Sequence, residues 1–347
     1  MKKSQSIPWY LKQSGKELAE KFQFIQIQED ERLRDATIKT IDSRWSLGVS
    51  VLERNDSRNR YVNIMPYERN RVKLDVIKGN DYINASYVKI NVPGQSISPG
   101  YYIATQGPTK KTWGQFWQMC YHSCSHENIV IVMVTPLKEH GRAKCFPYWP
   151  TGEDNENSSD HVRVSPKEQY PGGQSDLSCF EDELEVICED SRRIEDYYTL
   201  TTHKIKPRNP STGPAKMVHH FYFDQWKDMS KPEEIVPIMK LCEHSHRLNS
   251  PGNPIIVHCS AGVGRSGTFI TLDHLIHDTA DFKLSLGTIS TEGSRVPIEH
   301  YNHDLIEQIV LQLRSQRLKM VQMIDQYMFI YHAAKYLYDI SENSKSE

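Results

Sequence analysis

The segment IIVHCSAGVGRSGTF, residues 255–269, restricts the fold more than any other part of the 347-residue chain. Pro254 and the run Ile255, Ile256 and Val257 read as a short buried strand, and after Gly267 the apolar residues Phe269, Leu272, Leu275 and Ile276 recur at helical spacing. A strand, a tight loop and a helix must therefore follow one another. Gly262, Gly264 and Gly267 let successive backbone N–H groups point into the loop, which closes on the helix N-terminus. That geometry makes a concave anion site, suited to a phosphate, without any side chain. Cys259 stands at its mouth, where the helix dipole and the inward N–H groups favour the thiolate, the reactive form. Arg265 adds a planar fork able to grip two oxygens at once. The backbone of Ser260, Ala261, Gly262, Val263 and Gly264 is the expected cradle.

The same glycines also fit weaker patterns. Gly262, Gly264 and Gly267 match G-x-G-x-x-G, and Gly262 and Gly267 match the glycines of a nucleotide-binding P-loop. Context rejects both readings. Thr268 stands where a P-loop needs Lys, and the run FKLSLGTISTEGSRVP after Asp281 supplies no second parallel strand ending in an acidic residue. A plain glycine turn around a buried, inert cysteine is the remaining alternative. The Cys-x5-Arg spacing between a strand and a helix weighs against it.

Composition excludes little beyond this. The 42 basic and 44 acidic residues nearly cancel, so neither a nucleic-acid nor a membrane partner is expected. Seven cysteines without a C-x-x-C pair suit a reduced intracellular protein, in the cytosol or also the nucleus, better than a disulfide or zinc framework. The first residues lack the apolar core of a signal peptide, and the longest apolar run, Ile129 to Val134, is far short of a membrane span.

Helical spacing recurs in Trp113, Phe116, Trp117 and Cys120, in Ile235, Ile238, Met239 and Cys242, and in Ile306, Ile309, Val310 and Leu313. Runs at 101–105, 129–134, 197–205, 218–223 and 254–257 read as strands. An α/β (α+β) architecture follows. Between Trp149 and Asp182 the chain turns polar and rich in Asn, Ser, Gly and Pro, which reads as a surface excursion within one domain. The expected division is an extension over 1–20, one domain over 21–338 and a tail over 339–347, both ends being prone to mobility.

If Cys259 attacks phosphorus, the leaving oxygen needs a proton from an acid on a separate segment. FYFDQWKDMSKPEE offers Asp228, in a loop just after Trp226. An exposed loop aspartate is the plain alternative. VHCSAGVGRSGTF together with this loop resembles the tyrosine-specific protein phosphatase family. The chain is similar to it at NRYVNIMPYERNRV (59–72), DYINASYV (81–88), YYIATQGP (101–108), VMVTPLKEHGRAKCFPYWP (132–150) and LRSQRLKMVQMIDQYMFIY (313–331). FIQIQEDERLR and SRWSLGVSV are similar to the small soluble phosphatases of yeasts.

The resemblance implies a single domain with a highly twisted mixed sheet flanked by helices, acting on phosphotyrosine-containing proteins as a monomer, without metal or cofactor. It implies that Cys259 forms a cysteinyl-phosphate, Arg265 binds the phosphoryl oxygens and Asp228 protonates the phenolate. Gln322, with Gln326 second, would hold the hydrolytic water, and Ser266 would hydrogen-bond the departing thiolate. His258 would hold the cysteine loop, Glu139 would orient the arginine, and Trp226 belongs to the acid loop. Tyr61 would wall a pocket too deep for phosphoserine, and Asn63 would hold the peptide backbone in place of a usual acidic residue. Lys227 replaces the proline of the family's Trp-Pro-Asp loop, and Met323 replaces the threonine that usually follows Gln322.

Dual-specificity and phosphoinositide phosphatases share Cys-x5-Arg. Lysines that would meet extra phosphates are absent from this loop, which has Ala261 and Val263. A catalytically weak phosphotyrosine-binding module is the alternative from another class. It predicts loss of the nucleophile or the acid, and the sequence keeps both.

Overall fold

The computed structural model describes residues 7–39, 42–152, 160–168, 177–226, 235–279, 282 and 302–344. Its strands in chain order are β1 (Arg71–Lys73), β2 (Lys78–Gly79), β3 (Tyr82–Ile90), β4 (Gly100–Thr105), β5 (Asn128–Met133), β6 (Lys138–Glu139) and β7 (Arg142–Ala143). They continue with β8 (His161–Val164), β9 (Ser178–Cys179), β10 (Leu184–Ile194), β11 (Tyr198–Pro207), β12 (Lys216–Tyr222) and β13 (Ile255–His258). The helices are α1 (Gly15–Lys39), α2 (Trp113–Ser123), α3 (Ile235–Leu248), α4 (Gly264–Asp278), α5 (Leu305–Arg314) and α6 (Ile324–Ser344).

Nine strands form one mixed sheet in the order β1-β3-β4-β13-β5-β12-β11-β10-β8. The central strands β4, β13, β5 and β12 run parallel, and the outer pairings are antiparallel. β13 lies in the middle and is buried on both faces, which is why it reads as an unbroken apolar run rather than an alternating one. Strand alternation divides the core into two layers. Ile103, Ile129, Ile131, Met133 and Ile256 pack with Phe116, Trp117 and Cys120 of α2 on one face. Ala104, Val130, Val132, Ile255 and Val257 pack with residues of α3, α4, α5 and α6 on the other. Ligands of such sheets bind beyond the carboxyl ends of the parallel strands. Cys259 follows the carboxyl end of β13.

The two ends of the chain and the polar stretch pack as follows. Within the first 20 residues, Tyr10, Leu11 and Leu18 are buried in the larger core, so chain from residue 10 onward packs against the domain rather than extending from it. At the other end α6 continues to Ser344, through the expected start of the tail. The polar stretch after Trp149 is not loop throughout. It contributes β8, which pairs with the first half of β10, and β9, which pairs with β2. Residues 153–159 and 169–176 of that stretch lie outside the described residues.

Candidate active site

The loop between β13 and α4 turns at Gly262, whose φ is +77° and where a Cβ would meet the Thr105 carbonyl oxygen at 2.1 Å. No side chain fits there without moving β4. The Gly262 N–H donates to Cys259 Sγ at 3.2 Å, and Cys259 itself is 5% exposed. From behind, the buried Arg317 holds the loop's carbonyl groups. Its Nε donates to Gly262 O at 3.0 Å and its Nη2 to Ala261 O at 3.1 Å, while Ser86 Oγ at 3.1 Å and Asn84 Oδ1 at 2.8 Å fix the rest of the fork. Carbonyls turned outward onto a cation leave N–H groups to face inward. Burial lowers Arg317 to about 10, so it stays charged at neutral pH. Sequence reasoning missed this residue. Its only signal was an arginine inside LRSQRLKMVQ, with nothing to say that it would be buried.

Arg265, on the first turn of α4, is 3% exposed. Its Nη2 donates to both oxygens of Glu139 at 3.1 Å, and its Nη1 to Thr135 Oγ1 at 3.2 Å. Glu139 comes from the short β6–β7 ribbon, so one hairpin fixes the plane of the guanidinium. Such a fork keeps its orientation before any anion arrives.

A cleft of about 430 Å³ opens above the loop. Cys259, Ser260, Ala261, Gly264 and Arg265 form its floor, and Tyr61, Asn63, Gln322 and Gln326 line its sides. Arg142 and Lys144, not singled out from the sequence, add positive charge to the wall. Ser260 Oγ donates to Lys144 O at 2.9 Å, so it must accept from the Tyr61 hydroxyl, 2.7 Å away. The Tyr61 segment is anchored one residue earlier, where Arg60 N–H donates to Gln106 Oε1 and Arg60 Nη2 to Pro108 O. Gln326 is buried and accepts from the Met323 N–H at 3.1 Å. Gly264 lets the glutamines approach, since a Cβ there would sit 2.9 Å from the Gln326 amide.

The structure gathers most of the sequence candidates, but not all into the cleft. Val263 is buried in the core, and Gly262 acts from behind the floor. The Ser266 hydroxyl is buried and has no hydrogen-bond partner among the described residues. Trp226 is buried between Phe223 and Phe329. Asp228 and Lys227 lie outside the described residues.

His258 is fully buried behind the cysteine. Its Nδ1 faces Cys259 O at 3.0 Å and must donate, so its Nε2 accepts from the Tyr148 hydroxyl at 2.7 Å. Tyr148 in turn accepts from His220 Nε2 at 2.7 Å, leaving the buried His220 Nδ1 without a partner. This pattern fits two neutral imidazoles, and burial is what keeps them neutral. Burial pushes His258 and the neighbouring His203 down to about 4, and His220 well below its ordinary range. The unfolded chain takes up these protons near 6.5 and the folded chain only near 4 or below, so stability is lost as pH falls between the two. Each such histidine contributes a slope of about 1.4 kcal/mol per pH unit inside that window. The melting temperature is expected to fall steadily from pH 7 to pH 5, and less steeply in His258→Gln. A melting temperature flat across that range would contradict the neutral-histidine assignment.

A family model described as Protein-tyrosine phosphatase matches residues 55–336. Tyrosine-protein phosphatase 1 of Saccharomyces cerevisiae is 64% identical over 336 residues, covering 97% of this chain and 98% of that protein. Tyrosine-protein phosphatase 2 of Schizosaccharomyces pombe is 34% identical over 320 residues, covering 91% of this chain but 39% of that longer protein. A solved structure of PTPN18 in complex with HER2 phospho-peptides aligns at TM-score 0.68 and 25% identity, covering 92% of each chain. No helix among the described residues is long and apolar enough to cross a membrane.

Proposed function

This chain belongs to the protein-tyrosine phosphatase family, and from that premise we propose that it hydrolyses phosphotyrosine in proteins through a cysteinyl-phosphate on Cys259. The observation that carries the reading is the joint placement of Cys259 Sγ, the Gly262 N–H that points at it and the Glu139-held Arg265 around one cleft. In the first step Cys259 Sγ attacks phosphorus while the phosphate–phenolic oxygen bond breaks. Arg265 and the loop N–H groups bind the three non-bridging oxygens, and Asp228 gives its proton to the leaving phenolate. In the second step water attacks the same phosphorus, Asp228 takes back a proton, and the S–P bond breaks to release phosphate. Gln322 and Gln326 line the cleft where that water must sit, and Ser266 Oγ is the donor assigned to the departing thiolate.

Tyr61 sets selectivity. Held by Ser260, its ring forms one side of the cleft, so a phosphate must arrive on a stem as long as a phenyl ring to reach Cys259. Arg142 and Lys144 on the wall favour an acidic or phosphorylated peptide. The fission yeast relative exceeds this chain in length, whereas the budding yeast one is matched almost end to end. The phosphatase domain takes in the family match over 55–336 and the flanking chain that shares its core, from Tyr10 to Tyr338.

The test is turnover of a phosphotyrosine peptide beside its phosphoserine twin, in EDTA. Dephosphorylation of the tyrosine peptide alone is expected, with kcat lowered on the order of 10²- to 10⁴-fold in Asp228→Asn. Equal turnover of both peptides, or binding of the tyrosine peptide without turnover, would overturn the reading, the second outcome pointing to a recognition module.

A further inference from the structure

Outside the residues that line the cleft, the ring of Trp45 gathers three arginines from three parts of the chain. Arg32 lies on α1, Arg44 is the residue before the tryptophan, and Arg69 belongs to the short turn Glu68–Asn70 before β1. Their guanidinium carbons stand 5.3, 5.4 and 5.1 Å from the ring centroid. No two of them can therefore be farther apart than twice that radius. Tyr67 meets the same ring edge-on, with centroids 5.6 Å apart.

All three guanidinium groups are cations at neutral pH, so the cluster sets like charges side by side. Arg58, Arg71, Arg193 and Arg314 each have a carboxylate partner, whereas Arg32, Arg44 and Arg69 form no ion pair among the described residues. The acids nearest in sequence are already engaged, Glu68 by Arg71 and Asp35 by Lys39. Burial first, and then the charges of Arg44 and Arg32, hold Arg69 below its ordinary range. The repulsion has no counter-charge. Hydrogen-bonding capacity is unspent as well. Nε and Nη2 of Arg32 have no partner, nor does the hydroxyl of the fully buried Tyr67, which Arg32 approaches without a bond of good geometry. One Arg69 nitrogen donates to Ser315 O, and its other two have no acceptor among the described residues. Arg44 and Arg69 are exposed and Trp45 is half-buried, so the cluster is open to solvent.

We propose that Arg32, Arg44 and Arg69 form a binding site for a phosphate group outside the catalytic cleft. A tetrahedral dianion offers an oxygen to each planar fork and supplies the missing counter-charge, with the Trp45 ring holding the forks in place. None of the three is a nucleophile, so the group is held there and not hydrolysed. A phosphorylated side chain and free phosphate present the same chemistry. The site stands whether or not Cys259 turns substrate over.

Phosphate also enters the catalytic cleft, so the readout must be local to Trp45. Inorganic phosphate is titrated at constant ionic strength into the isotope-labelled chain, and the Trp45 indole N–H signal, assigned by its loss in Trp45→Phe, is followed by NMR. The signal is expected to shift and to saturate with a dissociation constant on the order of 1 mM. Arg44→Gln and Arg32→Gln should each weaken that binding by about tenfold, while the other indole signals keep their positions and report an intact fold. Saturation by a phosphoserine peptide at lower concentration than by inorganic phosphate identifies a phosphorylated chain as the source, and the reverse order identifies free phosphate. A Trp45 signal that stays fixed up to about 10 mM of either probe, or that responds equally in the parent and both variants, would overturn the proposal.

Discussion

Cys259→Ser is expected to lose turnover of a phosphotyrosine peptide by a factor on the order of 10⁴ or more, because an alcohol is not ionised at neutral pH and the reaction loses its nucleophile. Binding should survive. The cradle is made of backbone N–H groups held by Arg317 and Gly262, and the walls by Tyr61 and Gln326, none of which depends on sulfur. The Gly262 N–H that donates to Sγ can donate to a serine oxygen instead. The expected signature is therefore kcat near zero with a peptide Kd within a few-fold of the parent. Turnover above a hundredth of the parent value would remove Cys259 from the centre of the mechanism.

Arg265→Lys is expected to cost roughly 10³-fold in kcat/KM although the charge is kept. The guanidinium is planar, and Glu139 and Thr135 hold it by its two terminal nitrogens, so its orientation is settled before substrate binds. An ammonium on a flexible stem can pair with Glu139 or with the phosphoryl group, but presents no fixed fork to either. The two oxygens of Glu139 share one Arg265 nitrogen, so Glu139→Gln keeps a neutral acceptor there and should cost much less. Activity of Arg265→Lys within tenfold of the parent would mean that charge alone, not the oriented fork, stabilises the transferring group.

Much of the central sheet was legible because its chemistry is local. β5 and β13 are apolar runs buried on both faces, β4 is buried except at Tyr101, and α2, α3, α4 and α5 carry recurrent apolar stripes, so each announces itself within a dozen residues. The elements that escaped are those whose burial involves polar groups or only part of their length. β3 buries Asn84 and Ser86 because Arg317 reaches them from 231 or more residues away, a pairing that no local pattern encodes. β10 is covered by β8 only over Leu184 to Ile187, so the polar half from Glu189 to Arg193 is exposed and breaks the strand pattern. α1 presents only Leu18, Phe22, Ile25 and Glu29 to the core, and that last carboxylate pairs with the buried Arg314.

The site divides along the same line. Cys259, Arg265 and the loop glycines lie within a few residues of one another, and their spacing states their purpose. Tyr61, Glu139, Gln322 and Gln326 come from three distant segments, and only resemblance linked them before the fold brought them to one cleft. Arg317 and the Tyr148–His258 pair support the loop from the side opposite the substrate. Residues that act from behind carry no sequence signal of their function, because their role is a position rather than a reactivity.

The central claim is that phosphate passes through the sulfur of Cys259. A rapid denaturing quench of the parent chain during turnover of a phosphotyrosine peptide, followed by mass spectrometry of its peptides, tests this directly. The account predicts one added phosphoryl group on the peptide containing Cys259, appearing as fast as tyrosine is released and absent in Cys259→Ser. A phosphoryl group on another residue, or tyrosine release with no phosphorylated peptide at any time sampled down to the dead time of mixing, would contradict it.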